Sequence, residues 1–446
     1  MKANKDNYEI MTGTPVEKLI LKFSIPTILT MLVNNIYNLV DTAFVGKLGT
    51  SQSGAIGIVF GFMTILQAVG FMFGQGCGSM ISRALGKKDI EAASKTASTG
   101  ICMALLLGFL TSIICFMNLG PLIRLLGSSD TIFPYARTYI TYILITAPLN
   151  VAGFTMNNIL RYEGKAFYGM IGMMSGAILN IAGDAILMFG FGMGIAGAGL
   201  STSLSQIVSF ILLLSAFLRG KTSCRLAFKN VSITAGHIYE IVATGFPSML
   251  RQGLNSVTAI MLNTYAGIYG DEAIAAFSIV SRIFFFIFAI AIGIGQGFQP
   301  VSGFNYGAKR YDRVKKAYRF TIILSEVCIF VLGTLVFIFA PKLIYMCRAD
   351  MKVVEIGTRA LRLHCICGLV MPFCMSTEML LQSTGKKLSA TILSAFRGGI
   401  LFIPALVILS NVRGLSGIQE AQPLAFLLGL IPAIFYSVRF VSKKEH

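Results

Sequence analysis

The chain has 446 residues, of which 55% are hydrophobic and 13% are charged, and its mean hydropathy is +0.75. Soluble domains carry about twice that charged fraction, which excludes a string of soluble domains, and the high apolar content excludes a disordered chain. The net charge of +18 comes from 37 lysines and arginines that separate apolar runs and form no single basic face, so nucleic-acid binding is not expected. The composition predicts a polytopic membrane protein.

Twelve apolar stretches, each long enough to cross a bilayer, follow one another along the chain. A membrane helix needs about 20 such residues, and these stretches are far longer than the strands of a barrel. Their centres lie near residues 32, 68, 107, 148, 178, 206, 253, 286, 329, 373, 399 and 430. The sequence therefore predicts an all-α fold of twelve transmembrane helices. The mixed-charge N-terminus has no small-residue cleavage site, so no removable signal peptide is expected.

The loops between these spans differ in basic content. Loops on the side that holds both termini carry 25 lysines and arginines, the other side carries 9, and three arginines lie inside spans. Because basic loops stay in the cytoplasm, both termini are expected there.

The first half of the chain is similar to the second at one constant offset, which matches Pro26 to Pro247. At this repeat offset, fifteen of the seventy positions from 26 to 95 are identical, including a Gly-Gln-Gly motif at 74–76 and 295–297. Such a duplication predicts two six-helix lobes related by a pseudo-twofold axis along the membrane normal, as in many transporters. We predict an N-terminal lobe over residues 1–220 and a C-terminal lobe over 221–446, joined by a basic linker at about 219–240. The motif glycines are expected to allow close helix contact.

Ionisable and amide side chains inside the spans are few, and those of the first half are grouped. In the fifth span Asn180 lies one turn before Asp184, and Thr202 opens the next helix. One stripe of the first span carries Asn34, Tyr37, Asn38 and Asp41. Carboxylate, amide and hydroxyl oxygens suit a proton or Na⁺, and zinc less well, so a cation site is predicted. The alternative is that both acids end helices at the membrane interface.

The second half departs from this symmetry. Leu262 stands at the position that the repeat register matches to Asp41, and the polar residues inside the spans are mainly basic. The C-lobe polar network predicted here consists of Arg251, Asn255, Arg282, Glu378 and Arg397. One interpretation is an internal salt-bridge set in which Glu378 neutralises one or more arginines. The other is an anion-attracting wall, which would change the substrate class.

These residues resemble those of a known transporter family. The resemblance to the multidrug and toxic compound extrusion (MATE) family, and to its MepA-like bacterial branch, is carried by IPTILTMLVNNIYNLVDTAFVGKLGT, both Gly-Gln-Gly motifs and VSGFNYGAKRYDRVKKA. It covers essentially the whole chain and implies a twelve-helix exporter that exchanges H⁺ or Na⁺ for amphipathic, often cationic drugs. It also implies a location in the cytoplasmic (inner or plasma) membrane of a bacterium.

The resemblance also implies roles for individual residues. The cation-coupling set, which could also hold Na⁺, corresponds to Asp41, Asn180, Asp184 and Thr202, and the substrate-binding set to Asn34, Tyr37, Asn38, Tyr139 and Asn157. The NorM-like branch has an acidic residue where this chain has Asn255, so coupling in the second lobe is not expected. The implied partners are cationic small molecules and the lipid bilayer, with no cofactor besides the coupling ion, no other metal and a monomeric state.

Two other functions follow from different features of the sequence. A flippase or exporter for a lipid-linked or anionic substrate is favoured by Arg251, Arg282 and Arg397. An enzyme is not expected, because the three histidines and nine cysteines form neither a nucleophile and base pair nor a metal-ligand pattern. No nucleotide-binding motif is present, so transport is expected to run on an ion gradient.

Overall fold

A computed structural model describes residues 2–442, and their side chains from residue 7 onward. Within this range the chain is helical and contains no strand. The first eight helices are α1 (Lys2–Gly13), α2 (Val16–Gly46), α3 (Thr50–Gly86), α4 (Ile90–Met117), α5 (Leu119–Leu125), α6 (Phe133–Tyr162), α7 (Ala166–Asp184) and α8 (Gly194–Leu218). The next eight are α9 (Ala235–Gly267), α10 (Asp271–Gly307), α11 (Tyr311–Cys347), α12 (Met351–Cys367), α13 (Met371–Ser383), α14 (Lys387–Ala395), α15 (Phe402–Arg413) and α16 (Leu415–Ser442).

Two π-helical segments interrupt otherwise continuous helices. Ala185–Gly190 continues α7, and Phe396–Ile400 joins α14 to α15. Short 3₁₀ turns lie at Phe228–Asn230, between α8 and α9, and at Gly368–Val370, between α12 and α13.

The predicted all-α membrane fold is confirmed. By length and composition, eleven helical stretches of the described chain could cross a membrane. In this count α7 and the π-helical segment after it form one span, α12 and α13 form another, and α14 and α15 form a third. The predicted seventh span corresponds to α9, which is 33 residues long but less apolar because it carries His237, Glu240 and Arg251. Large apolar side chains such as Ile114 and Phe330 are about 60% exposed, as expected for a surface that faces lipid.

The helices form two compact units, which we call unit 1 and unit 2. Unit 1 contains residues 2–13 and 29–249, and unit 2 contains residues 14–28 and 250–442. The boundaries of the units therefore differ from the predicted division at residue 220. Each unit includes the first part of one long helix that belongs to the other half of the chain. The changes of unit, after Ile28 in α2 and after Met249 in α9, are equivalent positions of the two repeats. Pro26 and Pro247 lie two residues earlier, where proline removes a helical hydrogen bond.

The Gly-Gln-Gly motifs of α3 and α10 lie where these helices pack against the first parts of α9 and α2, respectively. In unit 1, a Cβ atom at Gly76 would overlap the carbonyl oxygen of Ile241 in α9. In unit 2, a Cβ atom at Gly297 would lie 2.6 Å from the backbone nitrogen of Ser24 in α2. Only glycine permits these backbone approaches, so the predicted role of the motif glycines in close helix contact is confirmed.

The duplication is also visible in the backbone of the turns. Gly49 and Gly270 precede α3 and α10 with φ angles of 135° and 98°. Lys88 and Lys309 follow α3 and α10 in the left-handed region, with φ angles of 63° and 57°, which non-glycine residues seldom adopt. The members of each pair are separated by the repeat offset, so the two repeats share the turns that separate their helices.

The linker between α8 and α9 is held on unit 1 by side chains that accept its backbone N–H groups. The hydroxyl of Ser94 accepts from Arg225 at 3.0 Å, and that of Thr99 accepts from Ser232 at 2.9 Å. Unpaired buried backbone donors are costly, so these hydroxyl groups of α4 fix the path of the linker.

A buried carboxylate, Glu163, holds the start of the same linker. It accepts hydrogen bonds from the N–H groups of Ser223 at 2.6 Å and Cys224 at 3.3 Å. Asn7 in α1 donates to the carbonyl oxygen of Glu163, so α1 also contacts this region. Burial raises the pKa of Glu163, although the hydrogen bonds from Ser223 and Cys224 oppose the shift.

Candidate functional site

Unit 1 contains a cavity of about 130 Å³ between α2, α3, α6, α7 and α8. At about 30 Å³ for each water molecule, this volume has room for about four. The side chains that line it are neutral, and the polar ones are mostly amides: Asn34, Asn38, Gln67, Asn150, Asn180 and Gln206. Aromatic rings and thioethers form much of the remaining wall: Tyr37, Phe60, Phe154, Phe210, Met63 and Met173. The cavity can therefore offer amide oxygens and ring faces to a guest.

The structure brings together part of the substrate-binding set proposed from the sequence. Asn34, Tyr37 and Asn38 line the cavity, whereas Tyr139 and Asn157 do not. Tyr139 is buried beside Thr202 near the two aspartates, and Asn157 packs against Gly169 near the start of α7.

The carboxyl groups of Asp41 and Asp184 lie beside each other, close enough to share a hydrogen bond when one is protonated. Asp41 is 8% exposed and Asp184 is fully buried, and Tyr37, which lines the cavity, interacts electrostatically with both. Oδ1 of Asp41 and both carboxyl oxygens of Asp184 accept no hydrogen bond of ordinary geometry within the described chain. The pair is thus next to the cavity and rich in unused acceptors.

Asn180 connects this carboxyl pair to the cavity wall. Its Nδ2 donates to Oγ1 of Thr202 at 3.2 Å. Ser201, which also interacts with Asp184, donates its hydroxyl hydrogen to the main-chain carbonyl of Asn180 at 3.0 Å. Oδ1 of Asn180 is itself buried without a donor. Buried acceptors without donors are costly, and such a set of hard oxygens fits a proton or an alkali cation.

Three amides of the cavity wall have no counterpart in the set named from the sequence. Gln67, Asn150 and Gln206 line the cavity, and Gln206 accepts a hydrogen bond from Thr146 at 2.9 Å. Neutral amides occur on many membrane helices that pack together, so the sequence carried no signal that these three share one site.

In unit 2 the intramembrane charges form an ion-pair cluster. Nη1 of Arg251 lies 2.6 Å from Oε1 of Glu378, and Nη2 of Arg397 lies 3.0 Å from Oε2. The hydroxyl of Ser394 donates to Oε1 at 2.6 Å. The expectation that Glu378 pairs with arginines is confirmed for Arg251 and Arg397.

The cluster does not extend to the other two members proposed from the sequence. Asn255 and Arg282 are exposed, and within the described chain the ion pairs of Glu378 are formed with Arg251 and Arg397. The sequence placed Asn255 and Arg282 in the network because they are polar residues inside spans.

A duplicated all-α membrane fold, with a polar cavity beside a buried carboxyl pair in one repeat, defines a polytopic membrane transporter. The sequence model of the MatE family matches residues 26–186 and 247–408, so the two matches begin at equivalent positions of the repeats, in agreement with the duplication. The chain belongs to the MatE family.

Several known proteins are similar to the chain over nearly its whole length. A Staphylococcus saprophyticus protein called multidrug export protein MepA is 30% identical, over 90% of this chain and 89% of its own. The Staphylococcus aureus protein of the same name is 28% identical, over 91% and 90%. A solved structure described as the outward-facing conformation of a multidrug resistance MATE family transporter superposes with a TM-score of 0.92 at 25% identity and covers 98% of both chains.

Proposed function

We propose that the chain is a secondary transporter that exports chemically different drugs, and that its substrates are amphipathic cations. The family membership and the relatives, which are called multidrug export proteins, support drug export and a transporter that is not an enzyme. We further propose that the protein is a monomer in the bacterial cytoplasmic membrane. Both termini are proposed to lie in the cytoplasm, because the loops on the side of the termini carry most of the basic residues.

The cavity of unit 1 is the proposed substrate site. Its wall carries no charged side chain, so a cation is held by amide oxygens and by the ring faces of Tyr37 and the phenylalanines. Met63 and Met173 are flexible and polarisable, which lets the wall adapt to guests of different shape. Such a surface favours several related guests over one, as expected for an exporter of many compounds.

The carboxyl pair is the proposed coupling site for H⁺ or Na⁺. A bound proton or sodium ion would give Asp41, Asp184 and Asn180 the positive partner that their buried oxygens lack. A substrate cation at Tyr37 lies next to the same carboxylates, so the ion and the substrate compete. Their competition biases the protein between two accessible states, which is the minimum requirement for exchange. The observation that carries the proposal is this group of unpaired oxygens beside the cavity.

The test is dye export driven by an ion gradient in liposomes that contain the purified protein. Asp41→Asn and Asp184→Asn are expected to abolish export that depends on the gradient, while both keep an oxygen and nearly the same volume. Glu326→Gln is the matched control, because Glu326 is also an intramembrane acid but lies in unit 2. Changing pH at fixed Na⁺, and Na⁺ at fixed pH, identifies the ion. Export by Asp41→Asn with unchanged ion dependence would contradict the coupling role.

A further inference from the structure

The fifth span of each repeat has a π-helical segment beside an ionisable residue. In unit 1 this segment directly follows Asp184, and in unit 2 it contains Arg397. Each residue meets a residue of the same charge from the first long helix of its repeat, Asp41 in α2 and Arg251 in α9. Such segments are frequent at functional sites. The duplication has therefore produced two sites of related construction, one acidic and one basic.

The basic site has an uncompensated positive charge. Glu378 is fully buried and is the carboxylate that lies within ion-pair distance of both Arg251 and Arg397. Glu326 is also an intramembrane acid of unit 2, but it interacts with the backbone of Phe373, and within the described residues it forms no ion pair with either arginine. Two guanidinium groups thus share one carboxylate in the described part of unit 2.

The pairing at Arg397 is also poor in hydrogen bonds. Its side chain is 7% exposed, yet Oε2 of Glu378 accepts no hydrogen bond of ordinary geometry despite lying 3.0 Å from Nη2. Glu378 is better satisfied at Oε1, which accepts from Arg251 and from Ser394. The Arg397 guanidinium therefore holds a buried charge that lies within ion-pair distance of Oε2 without a hydrogen bond of ordinary geometry, so its charge is compensated less completely than that of Arg251.

The helix that carries Arg251 packs closely on the segment that carries Arg397. Cβ atoms at Gly398 and Gly399 would lie 3.1 Å and 2.8 Å from the side chain of Leu254, which is three residues after Arg251 in α9. This contact presses α9 against the segment that carries Arg397. One turn after Arg251, Asn255 is exposed, so a polar stripe of α9 leads from the surface of unit 2 to the arginines.

We propose that Arg251 and Arg397 bind the carboxylate of a substrate, with Glu378 as the residue that positions them. This inference rests on the proposed export function and extends its substrate class from cations to amphiphiles that carry a carboxylate. Guanidinium groups bind carboxylates through two parallel hydrogen bonds, which favours this anion and explains why arginine and not lysine occupies both positions.

The test uses two dyes that differ only at the acidic group, rhodamine B, with a free carboxylate, and its ethyl ester. Binding to the purified full-length protein in detergent is measured by fluorescence anisotropy. Arg397→Gln is expected to weaken rhodamine B binding by about tenfold or more, the value of one hydrogen bond to a charged group, and to leave ester binding within about twofold. Ser394→Ala is the control, because it removes a contact to Glu378 and keeps both arginines.

A competition experiment needs no variant and so does not depend on folding of Arg397→Gln. Benzoate should displace rhodamine B from the unmodified protein and leave the ester bound. Equal displacement of both dyes, no displacement, or equal weakening of both by Arg397→Gln overturns the inference. Export of the ester in liposomes and its loss in Asp41→Asn report on the proposed function separately, so failure of one proposal does not imply failure of the other.

Discussion

Replacing Gly297 by alanine tests the close approach of α2 and α10 in unit 2. The new Cβ atom would lie 2.6 Å from the backbone nitrogen and 2.8 Å from the Cα atom of Ser24. An ordinary contact of this kind is at least about 3.4 Å, so the helices must separate locally by about 0.8 Å. Since the opposing atoms belong to the backbone of α2, no side-chain rotation can relieve the overlap.

The expected cost follows from overpacking. Forcing a methyl group into a closely packed interior costs about 1–3 kcal/mol. Alanine also favours a helix over glycine by about 0.5–1 kcal/mol, which partly offsets that cost. The second term is common to every glycine inside a helix. Gly333 in α11 is the matched control, because a Cβ atom there meets nothing within 4 Å.

The difference between Gly297→Ala and Gly333→Ala therefore isolates the overpacking term of about 1–3 kcal/mol. It is measured as the loss of folded protein on heating in detergent, followed by size-exclusion chromatography. Gly76→Ala should behave like Gly297→Ala, because its Cβ atom would meet the carbonyl of Ile241 in unit 1. If Gly297→Ala is as stable as Gly333→Ala, the close approach is not a feature of the protein in its membrane.

Three further outcomes are expected. Because the pKa of Glu163 is raised in the folded protein, linker docking should weaken as the pH rises from the ordinary carboxyl pKa of 4.5 toward the raised pKa. Hydrogen-exchange protection of residues 219–234 should fall over that pH range, and Glu163→Gln should remove this pH dependence. In intact cells an impermeant maleimide should label the exposed Cys347, whereas in a Cys347→Ser background it should label Phe228→Cys in the linker only after permeabilisation; the reverse pattern would invert the topology. Gln75→Leu should cost about 1–3 kcal/mol of stability against heating, because it removes the 2.7 Å hydrogen bond that the buried Tyr162 hydroxyl donates to Gln75; unchanged stability would contradict this cost.

Most of the fold could be predicted because the bilayer imposes length and composition on every span. The repeat register also located equivalent turns, such as Gly49 with Gly270. The assignment of the first parts of α2 and α9 to opposite halves could not be predicted, since it depends on three-dimensional packing. The only traces in the sequence were the matched prolines and the Gly-Gln-Gly motifs, and both also fit helices that stay within one lobe.

The residues of the candidate site that could be predicted are those whose charge is unusual inside a membrane span. Asp41 and Asp184 stand out because a carboxylate inside a bilayer needs a reason to be there. Asn157 lies on the same stripe of α6 as Asn150, but two turns further along, where it packs on Gly169 beyond the cavity. The helical periodicity indicates which face of the helix a side chain lies on, but it does not show whether that side chain is level with the cavity along the helix axis. Tyr139, on the opposite side of Asn150 along α6, misses the cavity for the same reason.

The exchange of helix segments between the units bears on the ancestry of the chain. Residues 14–28 complete unit 2, and residues 235–249 complete unit 1. A precursor with one repeat could therefore have formed a complete helix bundle only as a domain-swapped homodimer, in which the two subunits exchange the first part of their first long helix. Fusion of two such genes would join the subunits permanently. The front half expressed by itself should consequently be recovered as a swapped homodimer, or fail to fold.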